Sequence, residues 1–312
     1  MKRVYLFSLL LGAFFISSAQ DKTVEELKAE ASKQIKKDPN DTLPKVWKKG
    51  GLLNINFNQA ALSNWSAGGD NSSLSLTSFF NAYAFYKKGK NAWDNNIDLA
   101  FGGVSTTSLG QRKSDDRIDL LSKYGHEIAK NWYLGILFNF RTQFAKGYSY
   151  PGGNKTVLTS DFLAPAYILL SPGVNYKPSD NFSIFVSPLT LRWVIVNNDS
   201  LASVGAFGVD SGQKVRTQLG AFASITYLKK ISASAVYSGR LDLFSNYLHN
   251  PQNIDIYFTN LLAVKVAKLI TMTLTVNIIY DNDIKTVKSD GTAGGPSPQI
   301  QEVMGIGFAL KF

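Results

Sequence analysis

From residue 50 onward, apolar and polar positions alternate with a period of two along most of the chain. The last stretch shows it plainly. Met304, Ile306, Phe308, Leu310 and Phe312 fall on one face, and Val303, Gly305, Gly307, Ala309 and Lys311 on the other. A period of two belongs to a β-strand, whose successive side chains point to opposite sides. The second face, mostly small with one lysine, does not suit a dry core. Twelve segments of this kind are expected: 52–62, 74–87, 92–106, 117–128, 132–146, 163–177, 182–196, 214–228, 231–246, 254–267, 270–284 and 299–312. They exceed the usual 5–6 residues of strands in soluble domains and are long enough for a tilted membrane crossing.

The joins between them alternate in length. Those at 87–91, 129–131, 178–181, 228–230 and 267–269 are tight. Those at 107–116, 147–162, 197–213, 247–253 and 282–298 are longer and rich in Gly, Ser, Asn and Asp. Short turns on one side and long loops on the other are the pattern of outer-membrane barrels, and an even strand count returns both ends to the turn side. The expected fold is therefore all-β, a transmembrane antiparallel up-and-down β-barrel of about twelve strands over residues 50–312.

The alternation also assigns faces. In 92–106, Trp93, Ile97, Leu99 and Phe101 point outward, with Asp94, Asn96 and Asp98 inward. In 132–146, Trp132, Leu134, Ile136, Phe138, Phe140 and Phe144 point outward, with Asn139, Arg141 and Gln143 inward. Segment 182–196 changes parity near Pro188, which predicts a β-bulge. The outward aromatics Tyr86, Trp93, Trp132, Tyr176, Phe182, Tyr227 and Phe312 all fall at the turn end, where a membrane–water interface would hold them as a belt.

Upstream of the barrel the pattern changes. Lys2 and Arg3 precede an apolar run from Val4 to Ile16, and Ser17, Ser18 and Ala19 supply small residues for cleavage. Residues 1–19 read as a secretory signal peptide. Its removal lowers the formal net charge from +10 to +8. Residues 20–49 are expected to form a periplasmic helix and linker: Thr23 and Glu26 have capping-box spacing, and Val24, Leu27, Ala31 and Ile35 share one stripe. The chain has no Cys, which removes disulfides, thiolate catalysis and cysteine metal sites. No cofactor or metal is expected. The positive balance favours anionic lipid head groups, and nucleic acid is not an expected partner of an exported chain.

Inside a barrel, inward charges are expected. They include Asp94, Asp98, Arg117, Asp119, Lys123, Glu127, Arg141, Arg192, Arg216, Arg240, Asp242, Lys265 and Glu302. Two uses are open for them. Opposite charges pair and fill a narrow lumen, or Arg141, Arg192, Arg216 and Arg240 form a ring that selects anionic solutes. An enzymatic alternative rests on Ser122 and His126, four residues apart on one outward face, but a Ser–His pair needs hydrogen-bond reach and a third, orienting group. No catalytic residue is assigned.

The stretch from Ser63 to Ser72 contains Trp65, Gly68, Gly69, Asn71 and Ser72. It resembles the Trp-x-x-Gly-Gly-x-Asn-Ser signature of a Bacteroidetes outer-membrane family known only as a domain of unknown function. The resemblance implies a barrel in a Gram-negative outer membrane and no activity. Physically, Gly68 and Gly69 permit positive φ, and Trp65 is placed to fold inward and close the mouth. The terminal strand with Phe308, Leu310 and Phe312 resembles the closing strand that outer-membrane assembly machinery reads. The expected partners are thus outer-membrane lipids, that machinery and a small solute. The leading function is passage or binding of that solute, the alternative a structural or assembly-partner barrel with a filled lumen.

Overall fold

The protein is described from a computed structural model, over residues 46–61, 72–150, 156–179, 181–284 and 294–311. The expected signal peptide, N-terminal helix, Trp65–Asn71 motif and Phe312 lie outside these residues.

Twelve antiparallel strands close into one barrel. In chain order the first five are β1 (Trp47–Ala61), β2 (Ser72–Lys88), β3 (Asn91–Thr106), β4 (Gly110–Ala129) and β5 (Trp132–Thr142). A small separate hairpin, β6 (Gly147–Ser149) and β7 (Val157–Ser160), follows. The barrel resumes with β8 (Ala166–Ser179), β9 (Phe182–Ile195), β10 (Val215–Lys230), β11 (Ala235–Asn246), β12 (Ile254–Ala267), β13 (Ile270–Tyr280) and β14 (Gln299–Lys311). Strands adjacent in sequence pair throughout, β5 with β8 across the hairpin, and β14 closes on β1 from Leu52↔Lys311 to Asn56↔Gly307. All twelve expected segments are strands of this barrel. No helix among the described residues is long and apolar enough to cross a membrane.

Closure satisfies the backbone of the wall, because no strand of the barrel is left as an edge. The outside of the wall is apolar. Phe57, Leu76, Leu134, Met304, Ile306 and Phe308 are each more than half exposed. The inside carries Asn54, Asn56, Asn81, Asn139 and Gln218, all nearly inaccessible. Exposed apolar side chains outside and buried amides inside invert the arrangement of a soluble domain.

Several boundaries differ from those read in the sequence. β1 begins at Trp47, inside the expected linker, because Trp47–Gly51 pair with Tyr86–Ala82 of β2. The join expected at 107–116 is only Thr107–Leu109. β4 starts at Gly110, and Ser114 is accommodated by a bulge opposite Gly102 and Gly103, so a polar and charged stretch still holds the ladder. The 147–162 loop contains the β6–β7 hairpin, and the 197–213 loop contains a short helix α1 (Asp199–Ser203), capped by Asn198 Oδ1 accepting from Leu201 N. The parity change near Pro188 is a bulge: Thr190 faces Gly220 and Ser187 faces Phe222. Glu302, expected inward, is exposed on the outer wall. It shares the parity of Met304 and Ile306, and period two leaves it no route into the lumen.

Candidate functional site: the lumen

The wall between β5 and β11 fills its side of the lumen. Leu137, Leu169, Phe185, Phe222 and Phe244 form a buried apolar cluster, with Leu121 packed against it. Inward glycines make this possible. A Cβ on Gly173 would lie 2.8 Å from the Phe185 ring, and one on Gly220 would lie 2.9 Å from the Phe244 ring. Sequence reasoning missed the layer, because inward aromatics break the apolar-out rule; the signal was glycine at an inward position facing a long aromatic one strand away.

The four arginines do not form one ring. Arg141 and Arg240 meet at mid-barrel around two carboxylates. Arg141 Nη2 donates to Asp242 Oδ2 at 2.5 Å and its Nε to Asp119 Oδ2 at 3.1 Å. Arg240 Nε donates to Asp242 Oδ1 at 2.9 Å. Ser224 and Asn139 add a donor each, to Asp242 Oδ1 and Asp119 Oδ1 at 2.6 Å. Tyr257 lies under the Arg141 guanidinium, 4.1 Å from ring centre to Cζ.

The other two arginines sit toward the loop end. Arg192 donates to Gln218 Oε1 at 2.5 Å and to Asp255 Oδ2 at 2.6 Å, with Asp281 at 3.7 Å. Arg216 Nη1 donates to Asp283 Oδ2 at 2.7 Å and to the Gly208 carbonyl at 2.8 Å. The partners Asp255, Asp281 and Asp283 were absent from the sequence-based set. Every one of the four guanidiniums is thus ion-paired, and an anion passing them meets carboxylates beside each charge.

The Gly208 contact ties down a loop that folds into the barrel mouth. Leu201 and Ala202 of α1 pack with Val209 against Val194, Val196 and Ala164 of the wall. Val194 shares the inward parity of Arg192 on β9, so the helix occupies lumen space. Asn198 Nδ2 donates to Asp161 Oδ2 at 2.9 Å, fixing the loop to the segment before β8. At its exposed start, Asp199 accepts from Lys214, which holds its carboxyl below the usual range. Arg216→Ala removes the tie to Gly208 and Asp283 together. Single-channel recordings should then show larger or noisier openings than the parent, and unchanged traces would mean the loop does not obstruct the mouth.

Beside these clusters lies a cavity of about 330 Å³, lined mainly from β1–β4 and β11–β14, with residues of β8–β10 at its turn end. Amides and hydroxyls stand in its wall, among them Asn54, Asn56, Asn81, Asn96, Asn260 and Asn277, with Thr77, Thr259, Thr273 and Thr275, between apolar residues such as Leu52, Phe79, Leu121 and Leu261. Its cations are Arg117, Lys123, Lys177 and Arg240. Its carboxylates are Asp94, Asp98, Asp115 and Asp119, so the described lining carries no net charge. Asp98 accepts from Asn81 at 2.6 Å and from Asn96 at 3.0 Å, whereas Asp94 faces Lys123 in register. At the loop end, Gln301 of β14 reaches across to the Ser114 carbonyl and Asp115 Oδ1, each at 3.5 Å, and accepts from Asn277 Nδ2 at 2.9 Å.

On the outside, the turn end carries a row of aromatics. Trp47, Tyr86, Trp93 and Tyr124 are successive partners across four strands, with Trp47 5.2 Å from Tyr86 and 5.9 Å from Trp93. Trp132 lies 4.6 Å from Tyr176 with the two rings tilted at 36°, and Tyr227 faces Phe182. Trp47 and Tyr124 were not in the expected belt, Trp47 because it was assigned to the linker. Ser122 and His126 are engaged separately: Ser122 Oγ donates to Asn95 Oδ1 at 2.8 Å and accepts from Trp93 Nε1 at 2.9 Å, and His126 Nδ1 meets Asn91 Oδ1 at 2.8 Å.

A family described as a protein of unknown function (DUF3078) matches residues 57–148, under a third of the chain. No curated protein matches the chain in sequence. Among solved structures, an outer-membrane channel from Pseudomonas putida F1 is similar at 13% identity, with 89% of this chain and 100% of that one covered and a TM-score of 0.38. The NanC porin is similar at 8% identity over 83% of this chain and 100% of that chain, with a TM-score of 0.37. The CymD monoaromatic hydrocarbon channel is similar at 10% identity over 85% and 88%, with a TM-score of 0.32. The barrel itself rests on its own strand pairing.

Proposed function

We propose that this protein is an outer-membrane barrel that holds a small polar solute in its lumen and passes it between the two ends, without chemical change. The observation that carries this reading is the cavity of about 330 Å³ inside a closed strand wall, where amides, hydroxyls and charged groups converge between apolar side chains. A volume of that order suits a small-molecule site. The apolar outer wall and the aromatic row at the turn end support a membrane setting, since closed barrels are one of two structures that satisfy the backbone in lipid. The signal-like N-terminus supports export, and the Trp65–Ser72 resemblance supports a Gram-negative envelope of the Bacteroidetes kind. Short turns then face the periplasm, and the loop end with α1 faces outward.

A second reading, a scaffold or assembly-partner barrel with no passage, is favoured by the Arg–Asp clusters and the Phe185–Phe222–Phe244 layer, which fill much of the lumen. Purified protein in proteoliposomes separates the two. Swelling in small neutral or charged solutes supports passage, and its absence for all of them supports the scaffold. Orientation is checked by single cysteines in intact cells. Cysteine at Val157 should label from outside, and cysteine at Gly89 only after the outer membrane is opened. Surface labelling at Gly89 would reverse the topology.

A further inference from the structure

Resting on the reading of the cavity as a solute site, we infer that its solute is a neutral polyhydroxylated molecule, saccharide-like in its chemistry, rather than an ion. Charge balance argues first. Four cations and four carboxylates line the cavity, and several are already satisfied by one another or by amides. A solute with a net charge gains from one set what it loses to the other, and must shed water to enter. A neutral polyol also sheds water, but each hydroxyl costs far less to desolvate than an ion and regains hydrogen bonds at the wall.

The unmet hydrogen-bonding groups supply the specific part. Asn56 and Asn277 are each only 6% exposed, and the Oδ1 of each is buried with no partner. Both line the cavity, from β1 and β13. Arg117, lining the same cavity from β4, has a buried Nε without an acceptor. Orphaned buried polar atoms are uncommon in folded proteins and call for an explanation. A hydroxyl answers all three, because it donates to an amide oxygen and accepts from a guanidinium nitrogen. A carboxylate would serve Arg117 alone, and an ammonium only the two amides.

The wall is shaped to keep these atoms available. A Cβ on Gly305 would lie 2.9 Å from the Asn56 amide, so the inward glycine of β14 leaves room for that side chain. Asn56 Nδ2 is held by Thr77 Oγ1 at 3.3 Å and Asn277 Nδ2 by Gln301 Oε1 at 2.9 Å, so the donor end of each amide is occupied and its carbonyl oxygen, buried beside the cavity, is the end left without a partner. Phe79 and Leu52 give the same cavity an apolar side against which the C–H face of a sugar ring can rest.

The test holds size constant and varies charge. Full-length protein in detergent micelles is titrated with glucose, gluconate and glucosamine, and binding is read by saturation-transfer NMR. Glucose should give the strongest transfer. Asn56→Ala and Asn277→Ala, prepared separately and each checked for the heat-dependent gel shift of a folded barrel, should each weaken it about tenfold, the upper range for one neutral hydrogen bond. Equal or stronger transfer from gluconate or glucosamine overturns the inference, as does absence of glucose transfer in the folded parent or unchanged binding in both folded variants. Because binding is read without transport, a protein that binds glucose but fails to swell liposomes rejects the passage reading and keeps this one.

Discussion

Replacing Phe308 with Arg is expected to remove most of the folded barrel from the membrane. Phe308 is 66% exposed on the outer wall, opposite Ile55 in the middle of β1 and Ile270 at the start of β13. A cation facing hydrocarbon costs up to about 2–4 kcal/mol at the bilayer midplane and less toward the interface. The location adds to the loss, because β14 is the closing strand, and a weakened seam leaves backbone groups without partners in lipid. The heat-dependent gel shift on membranes from the variant reads the outcome. Val303→Thr, on the lumen face of the same strand, should shift like the parent. A normal folded band for Phe308→Arg would mean that this face does not meet lipid, and the membrane assignment would fall.

The second large effect is expected from Asp242→Ala. Asp242 lies between the guanidiniums of Arg141 and Arg240, with its side chain 5% exposed. Without it, Arg141 keeps Asp119 as its direct partner, and Arg240 is left with the same carboxylate at 3.8 Å. Breaking one partner of a buried charge pair typically costs 3–5 kcal/mol, mostly from the charge left unpaired. The urea midpoint of the refolded barrel should fall accordingly. Adding Arg240→Met to Asp242→Ala should recover part of the loss, since the orphaned charge is then gone. If Asp242→Ala unfolds with the parent, water reaches the cluster freely and the lumen is more open there than the packing indicates.

The strand count was legible because lipid on one side and a polar lumen on the other impose a strict period of two over long segments. Where that contrast weakens, the reading failed. Residues 110–116 are polar and charged on both faces, so β4 looked like a loop at its start, although its ladder to β3 holds it extended. Trp47 was lost to the linker for the opposite reason, since the lysines and glycines beside it hid a strand start. The inward parity of Arg141, Arg192, Arg216 and Arg240 was legible, but their partners were not. Arg141 and Asp242 stand 101 residues apart, and which residues meet across a lumen depends on tilt and stagger that alternation does not encode. The Phe185 layer was hidden because inward aromatics carry no period of their own.

The closing seam also sets an order of events in time. β1 pairs with β2 over fifteen positions, from Trp47↔Tyr86 to Ala61↔Ser72, but among the described residues it meets β14 over five. The Asn54 side chain reinforces that short seam by donating to the Phe308 carbonyl 254 residues away. Every other strand pair can zip from a local hairpin or a short connection, whereas this one must wait for nearly the whole chain to arrive. Until then the free edge of β1 and the growing edge of the sheet are both adhesive, open to any strand that passes. Assembly of this protein is therefore a race between ring closure and cross-pairing, and whatever shelters those two edges during the wait decides which product forms.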